Sequence, residues 1–254
     1  MENWKDKFPK NSIYYETKNG ILYCGDCLEI MKEFPKEGID LILTDPPYGL
    51  NKEDWDYQVD YDFLFEVFKN VLSKNGQVFI FAGWSFVCDI IRIGKNYLNL
   101  KDWIIWDRVK GRGTKKSLVS TREDILWWVK DLNDYYFDKN KAYSTMVKKT
   151  KGFGIKNKRR TRALSNVWTD ISPLVPWSKI KFHPTQKPLK LFERIILVFS
   201  ESDSLILDCF IGGGTTAYIC ELLNRKWIGI EKSQEYCLKI RENLSDKIYL
   251  KLRL

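Results

Sequence analysis

The sequence Leu205-Ile-Leu-Asp208-Cys-Phe-Ile-Gly212-Gly213-Gly214-Thr215-Thr216 decides the fold. It predicts an apolar strand that leads through three glycines into a helix. Glycines at such a connection let backbone N–H groups and the helix N-terminus approach a ligand closely. About 20 residues further on, Trp227-Ile-Gly-Ile-Glu231 places a carboxylate at the end of the next strand, where it can hold a ribose diol. The glycines alone would also suit a tight turn, but together with Glu231 they favour a nucleoside-type ligand.

The sequence on both sides of this stretch alternates strands with helices, which is typical of a mostly parallel α/β sheet. The predicted strands are Gly20 to Cys24, Asp40 to Thr44, Gln77 to Phe81, Leu100 to Trp106, Ile125 to Lys130, Ser204 to Asp208 and Lys226 to Glu231. The predicted helices are Cys27 to Phe34, Tyr61 to Leu72, Trp84 to Lys95, Pro188 to Phe199, Thr215 to Leu223 and Gln234 to Leu244. The strands around Trp106 and Trp128 have no obvious helix between them, which predicts an antiparallel pair. Residues 131–182 interrupt the alternation and are predicted to form an insert.

A second stretch, Ile39-Asp-Leu-Ile-Leu-Thr44-Asp45-Pro46-Pro47-Tyr48-Gly49, follows a strand with an acid, two prolines and an aromatic ring. The prolines fix φ and exclude helix, so they predict a stiff loop at the carboxyl end of the strand. An aromatic amine is a poor nucleophile because its lone pair is delocalised. A carboxylate and a carbonyl that accept its two N–H bonds would localise that pair, while the ring stacks on the base. The alternative is a turn that merely ends a strand.

Length and composition bound the remaining possibilities. The 254 residues, 44% hydrophobic, suffice for one sizeable core with one added lobe. The N-terminus lacks a signal-peptide pattern, and the longest apolar run is broken by Gly83 and Asp89. A cytoplasmic protein without a membrane segment is therefore expected.

The six cysteines are scattered through mostly apolar segments, which favours reduced thiols over a disulfide framework. Only Cys24-Gly-Asp-Cys27 has the spacing of a metal or redox site. A structural zinc ion would need a second pair of ligands, and the chain has one histidine. No metal is therefore expected.

The net charge of +9 belongs to one segment. Residues 139–181 hold twelve Lys or Arg and one acidic residue, Asp170, which leaves 30 basic and 32 acidic residues elsewhere. A solvated charged face is one interpretation. Aromatic residues between the basic ones favour contacts with nucleic-acid phosphates instead. The predicted DNA-binding residues are Lys148, Lys149, Lys151, Lys156, Lys158, Arg159, Arg160 and Arg162.

Taken together, the motifs resemble the β-group of amino DNA methyltransferases, whose Asp-Pro-Pro-Tyr motif serves adenine N6 or cytosine N4. The resemblance covers nearly the whole chain and rests on motifs in the group's order. These are Cys24-Gly-Asp26-Cys27-Leu28, Asp45-Pro-Pro-Tyr48, His183-Pro-Thr-Gln-Lys187-Pro, Asp208-Cys-Phe-Ile-Gly-Gly-Gly-Thr-Thr216 and Gly229-Ile-Glu231. Ile105-Trp106-Asp and Glu123-Asp-Ile-Leu-Trp127 stand where later sheet motifs are expected. Cys209 replaces the usual proline and Gly213 the usual serine, changes that affect cofactor affinity at most.

The resemblance implies a Rossmann-like, seven-stranded S-adenosylmethionine-dependent methyltransferase sheet. Residues 1–130 would be the catalytic half, residues 131–182 the target-recognition insert, and residues 183–254 the cofactor-binding half of the same domain. The strand Ser204 to Asp208 would lie beside the strand Asp40 to Thr44. Ligands of open α/β sheets bind where the strand order reverses, so the two loops would share one crevice.

The resemblance also assigns roles to residues. Asp45, Pro46, Pro47 and Tyr48 would be catalytic, with the target base flipped out of the duplex to reach them. Glu231 would bind the cofactor ribose, and Asp26 the cofactor adenine with Cys27 nearby. His183 would contact the cofactor rather than transfer a proton. The remaining predicted cofactor contacts are Asp45, Thr185, Lys187, Asp208, Phe210, Gly212, Gly214 and Thr215.

The resemblance favours N6-methyladenine in duplex DNA as the product, because Asp ahead of Pro-Pro-Tyr is commoner among adenine enzymes. Cytosine N4 remains an alternative, since both are conjugated exocyclic amines. RNA adenine-N6 methylation and a non-enzymatic nucleic-acid binder remain two further alternatives. Cytosine C5 chemistry is disfavoured, because it requires a thiolate nucleophile and the chain has no Pro-Cys pair. A restriction-modification or phage DNA modification setting is expected, and the family allows a homodimer and a cognate restriction endonuclease as partners.

Overall fold

The computed structural model describes residues 3–47, 58–112, 116, 118–144, 163–173 and 186–247. Within these residues nine strands form one sheet. The strands are β1 (Ile13–Glu16), β2 (Gly20–Cys24), β3 (Ile39–Thr44), β4 (Leu72–Ala82), β5 (Asn99–Arg112), β6 (Ser120–Val129), β7 (Val167–Trp168), β8 (Leu205–Asp208) and β9 (Lys226–Glu231).

Seven α-helices and one short 3-10 helix, Trp4–Lys7, complete the described elements. The α-helices are α1 (Cys27–Met31), α2 (Tyr61–Val71), α3 (Val87–Gly94), α4 (Lys139–Ser144), α5 (Leu189–Phe199), α6 (Thr215–Leu223) and α7 (Gln234–Ser245). None of the helices in this described part is long and apolar enough to cross a membrane.

The strand order is β1-β2-β9-β8-β3-β4-β6-β5-β7. The five strands from β2 to β4 are parallel, whereas β6 pairs antiparallel with both β4 and β5. After β3 the chain adds β4 on one side, and after β8 it adds β9 on the other side. The strand order therefore reverses between β3 and β8. Ligand sites of open α/β sheets lie at the carboxyl ends of the strands at this reversal.

Both faces of the sheet are covered by helices, which explains the nearly continuous apolar sequences of its central strands. In β3, for example, Leu41 and Leu43 contribute to one buried cluster and Ile42 to the other. The first cluster includes apolar side chains from α4, α5, α6 and α7, and the second includes those from α1, α2 and α3. The sheet is therefore doubly wound, and the predicted α/β fold class is confirmed.

All seven predicted strands form, and the predicted antiparallel pair is confirmed as β5 and β6. The expected count of seven is nevertheless too low for the complete sheet. The short strand β1 adds an antiparallel edge to β2, and the two-residue β7 adds the opposite edge on β5. Strands this short carry too few residues for a period-2 pattern to stand out in the sequence.

Two predicted helices were too long. Helix α1 ends at Met31 rather than at Phe34, because Pro35 disfavours helical geometry in the residue before it. Helix α3 begins at Val87 rather than at Trp84, since a turn closed by the Phe86 N–H on the Gly83 carbonyl precedes it. Strands β5 and β6 are longer than predicted because they pair with each other beyond the last residue of β4.

The described ends of the predicted insert pack on helix α5 and on strand β5. The backbone N–H of Asp138 donates to the carbonyl of Val198 at 2.8 Å, and the indole N–H of Trp106 donates to the carbonyl of Ile171 at 2.9 Å. The buried guanidinium of Arg194 forms two hydrogen bonds with Asp170, the only acidic residue of the basic segment. The assignment of residues 131–182 to target recognition stays a prediction.

Candidate active site

The catalytic and cofactor-binding motifs meet at the carboxyl edge of the sheet, as predicted. Strands β3 and β8 are direct parallel neighbours, with Leu41 opposite Ile206 and Ile42 opposite Leu207. The hydroxyl of Thr44, the last residue of β3, donates to Oδ1 of Asp208, the last residue of β8, at 3.0 Å. The adjacent Asp45 therefore lies at the crevice that the loop after β8 also borders.

Asp45 leads the loop that is predicted to be catalytic, and the described part of this loop ends at Pro47. The Asp45 carboxylate is about one-fifth exposed, Pro46 is buried and Pro47 is half-buried. Oδ2 of Asp45 accepts a hydrogen bond from the ammonium group of Lys187. The carboxylate is thus partly shielded yet reachable from the crevice.

Glu231 ends β9 and holds the loop after β8 in place. Its Oε2 accepts from the Gly212 N–H at 2.9 Å, and its Oε1 accepts from the Ser233 N–H at 2.8 Å. Burial raises the pKa of Glu231, and these backbone hydrogen bonds partly offset that rise. A carboxylate offers about four acceptor sites, so acceptor capacity remains for a ribose hydroxyl.

Gly212 and Gly214 both adopt the left-handed conformation, with φ of 51° and 84°. A Cβ atom on Gly214 would lie 2.8 Å from the ring of Tyr218, so a side chain would clash there as well as strain the backbone. These two glycines turn the chain from β8 into the N-terminus of α6. The turn lets backbone groups face a ligand in the crevice.

Asp208 is buried, and its carboxylate binds neighbouring protein groups. Oδ1 accepts from Thr44 and from the Phe210 N–H, and Oδ2 accepts from the Thr216 hydroxyl. Burial raises the pKa of Asp208 to about 7, against the opposing effect of these donors. In this structure its contacts organise the loop, while its predicted contact with the methionine part of the cofactor stays a prediction.

Asp26 and Cys27 lie at the end of β2, next to Glu231. Asp26 caps α1 by accepting from the Leu28 N–H at 3.0 Å, and Lys232 lies 3.2 Å from its second oxygen. Cys27 is buried, and Cys209 occupies the position where the family usually has proline. Burial first, and then the Cys27 thiol, raise the pKa of Cys209, so Cys209 is a neutral thiol. The Cys209 sulfur also lies 3.4 Å from the Thr44 hydroxyl, which adds a polar link between β3 and β8.

Two further predicted cofactor residues are described. Phe210 is half-buried in the loop after β8, and Thr215 is buried as the first residue of α6. Several predicted residues lie outside the described ranges, and their roles stay predictions. These are Tyr48, His183, Thr185 and all eight predicted DNA-binding residues, Lys148, Lys149, Lys151, Lys156, Lys158, Arg159, Arg160 and Arg162.

The structure adds two charged residues to the site that received no role from the sequence. Glu123 on β6 lies 3.3 Å from the Lys187 ammonium, and Arg108 on β5 lies 3.1 Å from the other oxygen of Glu123. Glu123 opens the motif Glu123-Asp-Ile-Leu-Trp127, which resembles a family sheet motif, but only the strand order brings it close to Asp45. Lys187, predicted to contact the cofactor, here contacts Asp45 and Glu123.

Comparison with known proteins now identifies the family. Residues 39–242 match the DNA methylase family N6_N4_Mtase. The chain belongs to this family of DNA methylases. Type II methyltransferase M.HpaI of Haemophilus parainfluenzae is 31% identical over 241 residues, which cover 89% of this chain and 74% of that protein. DNA adenine methyltransferase YhdJ of Escherichia coli K12 is 32% identical over 230 residues, which cover 84% of this chain and 78% of that protein.

The solved structures support the same relationship. The complex of M1.HpyAVI with S-adenosylmethionine superposes with a TM-score of 0.62 at 27% identity, covering 87% of this chain and 98% of that one. This DNA methylase is therefore an S-adenosylmethionine-dependent DNA methyltransferase. The described residues fit that cofactor. Glu231 offers a carboxylate suited to a ribose diol, and the left-handed Gly212 and Gly214 keep side chains out of the space beside it.

Proposed function

We propose that this methyltransferase modifies adenine N6 of a flipped base in duplex DNA. The observation that carries the proposal is the position of Asp45, a partly exposed carboxylate at the end of β3 beside the β8 loop. The Asp-Pro-Pro-Tyr sequence and the likeness to YhdJ, which is a DNA adenine methyltransferase by name, support adenine. The family includes both N6 and N4 enzymes, so cytosine N4 is the second candidate.

In the proposed mechanism, one N–H of the target amine donates to Asp45 and the other to the carbonyl of Pro46. These two acceptors draw the amine lone pair out of conjugation and orient it. S-adenosylmethionine supplies a methyl carbon made electrophilic by its sulfonium. A new N–C bond forms as the C–S bond breaks with its electron pair passing to sulfur, and the amine releases one proton. Tyr48 stacks on the base, which must leave the duplex to reach this site.

The proposed cofactor site divides between the ends of β2, β9 and β8. Glu231 holds the ribose and Asp26 the adenine amino group, with Cys27 beside it. Gly212 and Gly214 shape the path of the methionine part. The same proposal includes further contacts with the cofactor, from Asp208, Phe210, Thr215, His183 and Thr185.

The basic segment is proposed to bind the DNA backbone around the flipped base. Its charge and its interleaved aromatic residues support this role, which requires no base-specific contact. A cytoplasmic setting, a homodimer and a cognate restriction endonuclease complete the proposal. Their support is the likeness to M.HpaI, which is a type II methyltransferase by name.

A methyl-transfer assay with labelled S-adenosylmethionine tests the substrate class. Purified protein is offered duplex DNA, single-stranded DNA and structured RNA, separately and in competition. Incorporation into duplex DNA that excess RNA does not suppress is expected. Preferential labelling of RNA would contradict the proposal. Absence of cofactor binding by calorimetry, together with no transfer to any substrate, would favour a non-enzymatic nucleic-acid binder.

A further inference from the structure

A buried ammonium group connects the proposed catalytic carboxylate with a second carboxylate two strands away in the sheet. Lys187, just before α5, has a side chain only 8% exposed. Its ammonium donates to Asp45 after β3, lies 3.3 Å from Oε2 of Glu123 on β6, and lies 5.2 Å from the ring centre of Phe81 on β4. Strand β4 separates β3 from β6, so the lysine bridges two carboxylates across an intervening strand.

Two carboxylates and two cations meet at this bridge. One ammonium faces two carboxylates, and Glu123 has a second cationic partner in Arg108. Burial alone would lower the pKa of Lys187, but the Asp45 and Glu123 carboxylates raise it above its ordinary value. Lys187 is therefore cationic at neutral pH.

Other titratable groups face Asp45 from the remaining elements packed around it. Asp208 at the end of β8 and Tyr61 at the start of α2 both have pKa values raised first by burial and then, in part, by the Asp45 charge. A neighbouring carboxylate disfavours ionisation of Asp45, whereas a neighbouring ammonium favours it. Among these described groups Lys187 is the cation in direct contact with Asp45.

We propose that Lys187, held in place by Glu123, is a positioning residue that keeps the Asp45 carboxylate ionised and fixed in one orientation. This inference rests on the proposed role of Asp45 in accepting from the target amine. Glu123 shares the ammonium and is itself paired with Arg108, and an ionised Asp45 suits an amine that becomes positive as it attacks a sulfonium carbon.

The two supporting residues should affect the pH dependence in opposite directions. Lys187→Met removes the cation and leaves two carboxylates close together, so Asp45 ionises less readily. Glu123→Gln removes the second carboxylate that faces Lys187. Asp45 then has the ammonium to itself and ionises more readily. A residue with a merely structural role would not produce shifts of opposite sign.

The test measures single-turnover methyl transfer to duplex DNA between pH 4.5 and pH 8.5, together with cofactor affinity by calorimetry and thermal unfolding. The variants are Lys187→Met, Lys187→Arg, Glu123→Gln and Asp45→Asn. Lys190→Met serves as control, because Lys190 is an exposed lysine in the first turn of α5. For Lys187→Met we expect a rate at least about tenfold lower at pH 7 and a loss of activity on acidification that begins about one pH unit or more higher than in the wild type. Cofactor affinity should stay within about threefold, which is about 0.7 kcal/mol.

Lys187→Arg should keep most of the wild-type rate. Glu123→Gln should shift the loss of activity on acidification to lower pH. If Lys187→Met fails to fold, the Glu123→Gln shift alone decides. Unchanged or same-direction pH profiles would overturn the inference, as would a loss of cofactor affinity equal to the loss of rate, which would assign Lys187 to the cofactor. A wild-type rate in Asp45→Asn would instead overturn the proposed function.

Discussion

Thr44 donates a hydrogen bond of 3.0 Å to Asp208, although 164 positions separate the two residues in the chain. Thr44 immediately precedes Asp45 of the proposed catalytic loop, and Asp208 begins the loop proposed to hold the methionine part of the cofactor. The bond is buried and joins the two parallel strands at the point where the strand order reverses. It holds the carboxylate that is proposed to orient the amine close to the loop that is proposed to hold the methyl donor.

Replacement of Asp45 should separate transfer from cofactor binding. We expect Asp45→Ala to abolish methyl transfer while cofactor affinity stays nearly unchanged, because the carboxylate acts on the amine. Single-turnover kinetics and calorimetry on the same preparation measure the two effects, and Asp134→Ala, an exposed carboxylate, serves as control. Equal losses of rate and affinity would show that the assigned role is wrong.

Replacement of Glu231 should have the opposite effect. Glu231→Ala removes the proposed ribose acceptor and also the acceptor for the Gly212 and Ser233 N–H groups. Affinity for S-adenosylmethionine should fall by about ten- to a hundredfold, equivalent to about 1.5–3 kcal/mol. Glu242→Ala, an exposed carboxylate on α7, should leave affinity at the wild-type value. Wild-type affinity in Glu231→Ala would remove Glu231 from the cofactor site.

Asp208 should make the stability of the cofactor-free protein depend on pH. Its folded-state pKa of about 7 lies above the ordinary value of an aspartate, so between about pH 4 and pH 7 the folded protein holds a proton that the unfolded chain has released. The contribution of this group is therefore complete at low pH and is lost as pH rises through 7.

Urea unfolding at pH 5, 6 and 7 measures this contribution. Relative to Asp208→Asn, the wild type should lose up to about 1.4 kcal/mol of unfolding free energy per pH unit over this interval. Asp246→Asn, at an exposed position, controls for a general change of charge. Parallel pH dependences in wild type and Asp208→Asn would refute a raised pKa at Asp208.

Phosphate binding by the basic segment should make DNA affinity fall steeply with salt. Replacement of Lys158, Arg159 and Arg160 by alanine should flatten the plot of log affinity against log salt by up to about 0.9 for each phosphate that the variant no longer neutralises. The matched control replaces Lys18, Lys36 and Lys74. These lysines are exposed and lie near the starts of β2, β3 and β4, at the end of the sheet away from Asp45. An unchanged slope would indicate a solvated charged face.

Uniform weakening on cognate and unrelated duplexes would assign these residues to positioning, whereas selective weakening would assign them to base readout.

Most of the sheet could be predicted because its central strands carry signals that are local in the sequence. β3 and β8 are apolar runs that end in Asp45 and at the glycines after Asp208, and such runs are typical of strands buried on both faces. The adjacency of β3 and β8 followed from family resemblance, because periodicity does not reveal which distant strands pair. β1 and β7 were missed because they are short edge strands whose pairing depends on the rest of the sheet.

Asp45 and Glu231 of the candidate site could be predicted, because each belongs to a short motif whose residue types indicate a chemical role. The contact between Lys187 and Glu123 was not predictable, because it depends on the segment before α5 placing Lys187 over the ring of Phe81 on β4 and on the pairing of β4 with β6. The interior role of Asp208 was also missed. Its sequence position suggested a ligand contact, which stays a prediction, whereas its three protein donors depend on how β3, β8 and α6 pack together.

Identification of the methylated nucleoside distinguishes adenine N6 methylation from methylation of cytosine. Duplex DNA is methylated with labelled S-adenosylmethionine, hydrolysed to nucleosides and analysed by mass spectrometry, with the Asp45→Ala protein as the blank. N6-methyladenosine in its deoxy form should carry the label. N4-methylcytosine as the main product would contradict adenine while leaving amine methylation intact, and a C5-methylated base would contradict both.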